Sequence, residues 1–118
     1  MRLQKVRLTY KGKKFELKLR VCKGFEKGIG LMFSRREKAK PLLFEFKELT
    51  KVKIHSFFVF FPFIALWLDD KNKIIDSKLV KPFTFTIVPE RKFKKLIEIP
   101  LNSENLEIAK ILVGKEKI

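Results

Sequence analysis

Two stretches near the N-terminus alternate strictly between apolar and polar positions. Residues 3–10 place Val6, Leu8 and Tyr10 on one face and Lys5, Arg7 and Thr9 on the other. Residues 15–21 repeat the period, with Phe15, Leu17, Leu19 and Val21 inward and Glu16, Lys18 and Arg20 outward. A period of two is that of a half-buried strand. Lys11-Gly12-Lys13-Lys14 between the runs predicts a tight loop with Gly12 in the left-handed region, so residues 2–22 read as an N-terminal β-hairpin.

The densest apolar stretch lies later. From Ile54 to Leu68 only His55, Ser56 and Pro62 are not apolar. A membrane-spanning helix needs roughly 20 apolar residues; this run is shorter, is interrupted by proline and is dominated by Phe, so it predicts two core strands, 54–61 and 63–68. Proline cannot donate to a sheet ladder, which puts Pro62 at a bend between them. Asp69-Asp70-Lys71-Asn72-Lys73 predicts a turn into a third strand, 74–80. Shorter alternating runs predict strands at 42–46, 83–87 and 96–99, the last stopped by Pro100. From Asn102 the period lengthens: Asn102 or Ser103 can cap a helix over 102–113 whose apolar stripe is Leu106, Ala109, Leu112 and Val113, with Gly114 as its stop. The expected architecture is mainly β, an antiparallel β-sandwich or open barrel of about seven to eight strands with one or two short helices, in a single domain over residues 1–118.

Charge sharpens this picture. The chain carries 28 Lys and Arg against 13 Asp and Glu, a formal net charge of +15, and such a field attracts polyanions. Three groups supply candidate contacts: Lys5, Arg7, Lys13, Lys14, Lys18 and Arg20 on the hairpin, Arg35, Arg36 and Lys38 in a loop closed by Pro41, and Arg91, Lys92 and Lys94. If they share a face, the protein is expected to bind nucleic acid through phosphate, with little sequence preference; the alternative is a solvated, Lys-rich surface of the kind common in heat-adapted proteins. Phe25, Phe63 and Phe93 lie beside basic or irregular segments and are the candidates for exposed stacking rings.

Little else in the chain carries chemistry. Gly24, Gly28 and Gly30 lack the Gly-Lys-Ser/Thr ending and the following helix of a phosphate loop, and they predict a chain reversal with a short helix or turn. One His and one Cys cannot supply the three or four protein ligands usual for zinc. Cys22 and His55 form a conceivable nucleophile and base pair, yet no orienting partner is evident, and a buried thiol and a satisfied structural His are the plainer readings. Asp69, Asp70 and Asn72 resemble part of a calcium loop without its Gly and terminal Glu. The remaining carboxylates, Glu45, Glu48, Asp76, Glu90 and Glu98, are scattered. No catalytic residue, cofactor or metal is expected. The absence of a leader pattern and of a second cysteine points to the cytoplasm. Neither the partner nor the oligomeric state can be read from these patterns.

Gly30-Leu31-Met32-Phe33, Leu42-Leu43-Phe44-Glu45-Phe46, the aromatic block with Pro62 and Trp67-Leu68-Asp69-Asp70, and Glu98-Ile99-Pro100 before a helix occur in an order that resembles the prokaryotic family known as domain of unknown function 192. The resemblance runs from about Gly24 to Gly114. It implies a compact, mainly β domain of sandwich type and supplies no activity, cofactor or catalytic residue. Many members carry Trp-Met-Lys-Asn-Thr in the block and Pro-Leu-Asp after it. With Pro62 on that proline, His55, Ser56, Phe57, Phe58 and Val59 take the first five positions and Ile64 the aspartate, so the polar residues are replaced by mostly apolar ones. The expected function is that of a small non-catalytic binding or interaction domain with an apolar pocket formed by Phe57, Phe58, Phe63 and Trp67. Weakly specific nucleic-acid binding is the alternative and an enzyme the second alternative.

Overall fold

The computed structural model of the chain describes residues 3–23, 30–114 and 116. Six strands, β1 (Leu3–Tyr10), β2 (Lys13–Cys22), β3 (Leu42–Thr50), β4 (Phe63–Leu68), β5 (Ile74–Val80) and β6 (Phe93–Pro100), form one sheet in the order β1-β2-β3-β6-β4-β5. All pairings are antiparallel except β2 with β3, which run parallel. A parallel pair needs a long crossover, here residues 23–41. The sheet curls until Thr9 bridges Lys73, and the result is a half-barrel.

This corrects the expected architecture in two respects. The sheet is mixed, and it has six strands among the described residues. The two missing strands share a cause. Residues 54–61 and 83–87 were each expected to form a strand, but they meet only in a single bridge, Ile54 with Ile87. Elsewhere in these segments the backbone groups are captured by Ser56. Its hydroxyl donates to Lys81 O at 2.7 Å and accepts from Thr84 N at 2.6 Å. Its backbone N–H donates to Thr84 O, and its carbonyl accepts from Phe83 N and Val59 N. Phe58 (φ 58°) and Phe83 (φ 56°) then turn into the left-handed region, where a ladder cannot continue. Pro62 lies just before β4, and its carbonyl accepts from Leu101 N.

Each face of the half-barrel carries its own core. Inside, Leu8, Leu19, Leu43, Ile64, Leu66, Ile97 and Ile99 pack against Ala109 and Leu112, which belong to helix α1 (Leu106–Val113). The helix is shorter than 102–113 because Ser103–Asn105 forms a 3-10 turn. Asn102 caps that turn by accepting from Asn105 N, and Gly114, at φ 91°, returns its N–H to Lys110 O. Outside, Phe44, Phe63, Ala65, Trp67, Phe93 and Leu96 are covered by Leu31, Ala39, Val59, Phe61 and Ile87 from the irregular segments. The outer cover is therefore coil held by hydrogen bonds, and Ser56 is its hub. Replacing Ser56 with Ala leaves the Thr84 N–H without its acceptor, while the Lys81 carbonyl keeps the Thr84 hydroxyl, and is expected to cost about 1–3 kcal/mol. Urea unfolding followed by circular dichroism measures that loss; an unchanged midpoint would show that water substitutes for the hydroxyl.

Candidate functional site

β6 is the one strand in the sheet that pairs with both β3 and β4 over most of its length, and Glu98 alternates with Ile97 and Ile99, which face the inner core, so it shares the outer face with Leu96. Glu98 stands across from Leu42 on one side and Ala65 on the other. A carboxylate in that position is deprived of water on both flanks. Glu98 is only 6% exposed, and burial pushes its carboxyl up to about 8. It is therefore largely protonated at neutral pH and is both a donor and an acceptor. Among the described residues no side chain donates to it.

Glu98 forms part of the wall of a cavity of about 310 Å³. The rest of the wall is mainly apolar: Leu31, Met32, Phe44, Phe46, Val59, Phe63 and Leu96, with Lys53 and His55 as the other ionisable groups. Gly30 closes over the carboxyl. A Cβ at this position would lie 3.1 Å from Glu98 Oε1, and its φ of 51° is in the glycine-favouring region. The backbone can thus approach the acid where a side chain could not. The cavity is thus mainly apolar, with Glu98, Lys53 and His55 as its ionisable groups.

The four aromatics expected to form one pocket do not do so. Phe63 lines the Glu98 cavity, and Trp67 is sealed in the packed outer core. Phe57 is half-buried, edge-on to Phe85 at 4.7 Å, and Phe58 is exposed and stacked on Phe33 at 5.1 Å. Of the rings considered for exposure, Phe63 and Phe93 are buried. Phe25 and all but Gly30 of the short helix or turn expected over Gly24–Gly30 lie outside the described residues. The exposed rings are instead Phe33, Phe58, Phe60, Phe83 and Phe85.

The basic groups are spread over the molecule. Arg36 Nε donates to Leu101 O at 2.8 Å, Lys40 reaches Glu104 at 3.2 Å, and Asn102 Nδ2 donates to Arg36 O. Ser103, first through its side chain and then through its backbone N–H, hydrogen-bonds to Glu37 and holds its carboxyl below the usual range. The Arg35–Lys40 loop is thus fastened beyond the C-terminal end of β6. Arg91 and Lys92 precede its first residue, and the eight-residue strand separates the two groups by about 25 Å. On the hairpin Lys5 pairs in register with Lys18, while Glu16 lies 3.9 Å from Lys5 and 3.6 Å from Arg7 and offsets part of their charge. Lys13 and Lys14 are exposed at the start of β2, and Arg20 is half-buried.

Cys22 is a buried reduced thiol in the outer core. The Nδ1 of His55 accepts from Phe57 N at 3.2 Å, which occupies that nitrogen in shaping the loop. Asp69 is a turn former: its Oδ1 accepts from Lys71 N and Lys73 N, and Asn72 takes φ 64°. Among the described residues no group of three or more His, Cys, Asp or Glu could hold a metal ion.

No family model matches the chain, and no curated protein matches it. Two solved structures share its fold. A protein of unknown function from Novosphingobium aromaticivorans DSM 12444 superposes with a TM-score of 0.72 at 11% identity, over 91% of this chain and 79% of its own. A candidate transcription regulator from Sinorhizobium meliloti 1021 superposes with a TM-score of 0.71 at 18% identity, over 87% and 82%. At such identities the likeness is one of fold.

Proposed function

We propose that this chain is a cytoplasmic, non-catalytic binding domain that takes a small, largely apolar ligand in the Glu98 cavity. The observation that carries the reading is a protonated carboxyl in an apolar wall. Burying it without a partner destabilises the fold, and a ligand that supplies the missing hydrogen bonds recovers part of that loss. A neutral carboxyl donates one bond and accepts others, so the complementary head is an amide or an alcohol, with an apolar body that fits among Phe44, Phe46 and Phe63. Membership of the domain of unknown function 192 belongs to the same proposal. It is supported by the order of the motifs quoted above, one of which, Glu98-Ile99-Pro100, contains the acid.

The test is ligand-observed NMR with a panel of short-chain amides, alcohols, amines and alkanes at neutral pH. Amides and alcohols are expected to bind the wild type and to lose at least about tenfold in affinity to Glu98→Leu, the effect of one buried hydrogen bond. If no member binds, or if alkanes bind as well as amides, the reading is wrong.

A second reading, weakly specific nucleic-acid binding, draws on the net charge of +15 and on the description of the Sinorhizobium meliloti protein as a candidate transcription regulator. The separation of the Arg35–Lys40 and Arg91–Lys95 groups counts against one compact footprint. Fluorescence anisotropy with a short single strand and a duplex at low salt decides it, and no binding to either removes it.

A further inference from the structure

Phe is seldom left in water, and seldom at positive φ; here both happen together. Phe33 (φ 61°), Phe58 (φ 58°) and Phe83 (φ 56°) are three of the five non-glycine residues in the left-handed region among the described residues, and they are 67%, 47% and 45% exposed. A side chain with a Cβ is held there at a cost, because the Cβ crowds the following carbonyl oxygen. Such strain persists only where the surroundings enforce it, and it gathers at functional surfaces.

The three sit on loops that are tied to one another. Phe33 stacks on Phe58, and its N–H donates to Phe58 O. Phe83 packs edge-on to Phe60 at 5.3 Å, and Phe83 N donates to Ser56 O. Phe85, 74% exposed, packs on Phe57. Five exposed rings on loops tied together through Ser56 exceed the scattered apolar residues of an ordinary surface.

We propose that this aromatic surface docks on an anionic lipid bilayer, with the Phe rings entering the headgroup region and the neighbouring cations meeting lipid phosphates. Charge supports this occupant. Residues 30–36, 51–63 and 81–88, which carry the rings, contain no Asp or Glu, and they hold Arg35, Arg36, Lys51, Lys53 and Lys81. A second copy of the chain would bring these cations face to face. Shape supports it too: rings 60% exposed at Phe60 and 74% at Phe85 protrude from the surface, whereas a peptide partner needs a groove or an open strand edge. A bilayer receives protruding rings without a matching contour, and basic residues near an anionic leaflet add to the attraction. This surface does not depend on the cavity reading, because its rings stand outside the Glu98 wall.

Vesicle flotation with the full chain tests it, using phosphatidylcholine vesicles and mixed phosphatidylcholine–phosphatidylglycerol vesicles. The wild type is expected to float with the mixed vesicles at low salt and far less with the pure ones or at high salt. The decisive variant is Phe33→Asn, Phe58→Asn and Phe83→Asn together. Asn tolerates the left-handed region, so the variant keeps the fold, checked by its circular dichroism melt, while losing the rings. It is expected to weaken vesicle affinity by roughly a hundredfold. A second variant, Lys51→Glu with Lys81→Glu, leaves the rings in place and is expected to abolish the preference for mixed vesicles. Absent flotation of the wild type, or undiminished flotation of the triple variant, overturns the proposal. So does a wild-type dimer that the triple variant dissolves, or single-strand nucleic-acid binding that the same variant removes.

Discussion

Stability is expected to fall as pH rises from about 4.5 to about 8, and Glu98 is the reason. Its carboxyl titrates near the ordinary 4.5 when the chain is unfolded and near 8 when folded. Between those values the folded chain holds a proton that the unfolded chain has released, so raising pH favours unfolding. The contribution is fully present below about pH 4.5 and is lost through pH 8, at about 1.4 kcal/mol per unit. Across the window this amounts to roughly 5 kcal/mol, a large share of the 5–15 kcal/mol typical of a domain. Glu98→Gln keeps the shape and cannot ionise. Its stability should match the wild type at acid pH, exceed it by about 3 kcal/mol at pH 7, and exceed it by about 5 kcal/mol above pH 8. Taking the difference between the two proteins removes the titration of every other group. Urea denaturation of both across the range measures it, and a gap that does not open with pH would mean that Glu98 ionises freely in the folded state.

The same titration bears on ligand binding. Once ionised, Glu98 can accept but no longer donate, so amide and alcohol ligands that need its proton should bind less well above pH 8. The buried acid thus links the stability of the fold to the occupancy of its cavity.

Why this residue was hard to find in the chain is instructive. In Phe93–Pro100 both faces are apolar from Leu96 onward, the pattern of a strand covered on two sides, and Glu98 stands alone within it. That lone acid in a doubly buried strand was the available signal, and a search for paired carboxylates passes over it. The N-terminal alternation was legible because each strand there has one wet face: Val6, Leu8, Leu17 and Leu19 are buried and Lys5, Arg7 and Lys18 exposed. Residues 54–61 misled because density of apolar residues was taken for a strand. A strand covered by coil and a coil covering a strand can have the same composition, and here the difference lies in Ser56, whose hydroxyl and backbone bond to the 81–84 segment in place of a ladder. The mixed sheet was hidden for another reason. Whether β3 pairs parallel to β2 depends on where residues 23–41 lead the chain, and local periodicity does not encode that.

Trp67 supplies the largest expected loss of stability from a single side chain. It is fully buried on β4, in register with Leu96 on β6 and Asp76 on β5, and edge-on to Phe93 at 6.5 Å. Lys78 Nζ sits 5.9 Å from its ring centroid and donates to Val88 O, so the ring also bears on the segment leading into β6. Trp67→Ala should cost about 3–5 kcal/mol, through lost transfer energy and the cavity left between sheet and cover. The indole offers a contrast, because its Nε1–H is buried with no acceptor among the described residues. An unpaired buried donor costs about 1–3 kcal/mol, and Trp67→Phe removes it along with part of the ring. Trp67→Phe is therefore expected to cost well under half as much as Trp67→Ala. Since Trp67 is the only tryptophan, unfolding of both variants has to be followed by far-ultraviolet circular dichroism. Equal losses for the two would show that the indole N–H is satisfied by water. If Trp67→Phe also leaves vesicle flotation and amide binding unchanged, the ring acts as packing beneath both surfaces, as its position inside the outer core requires.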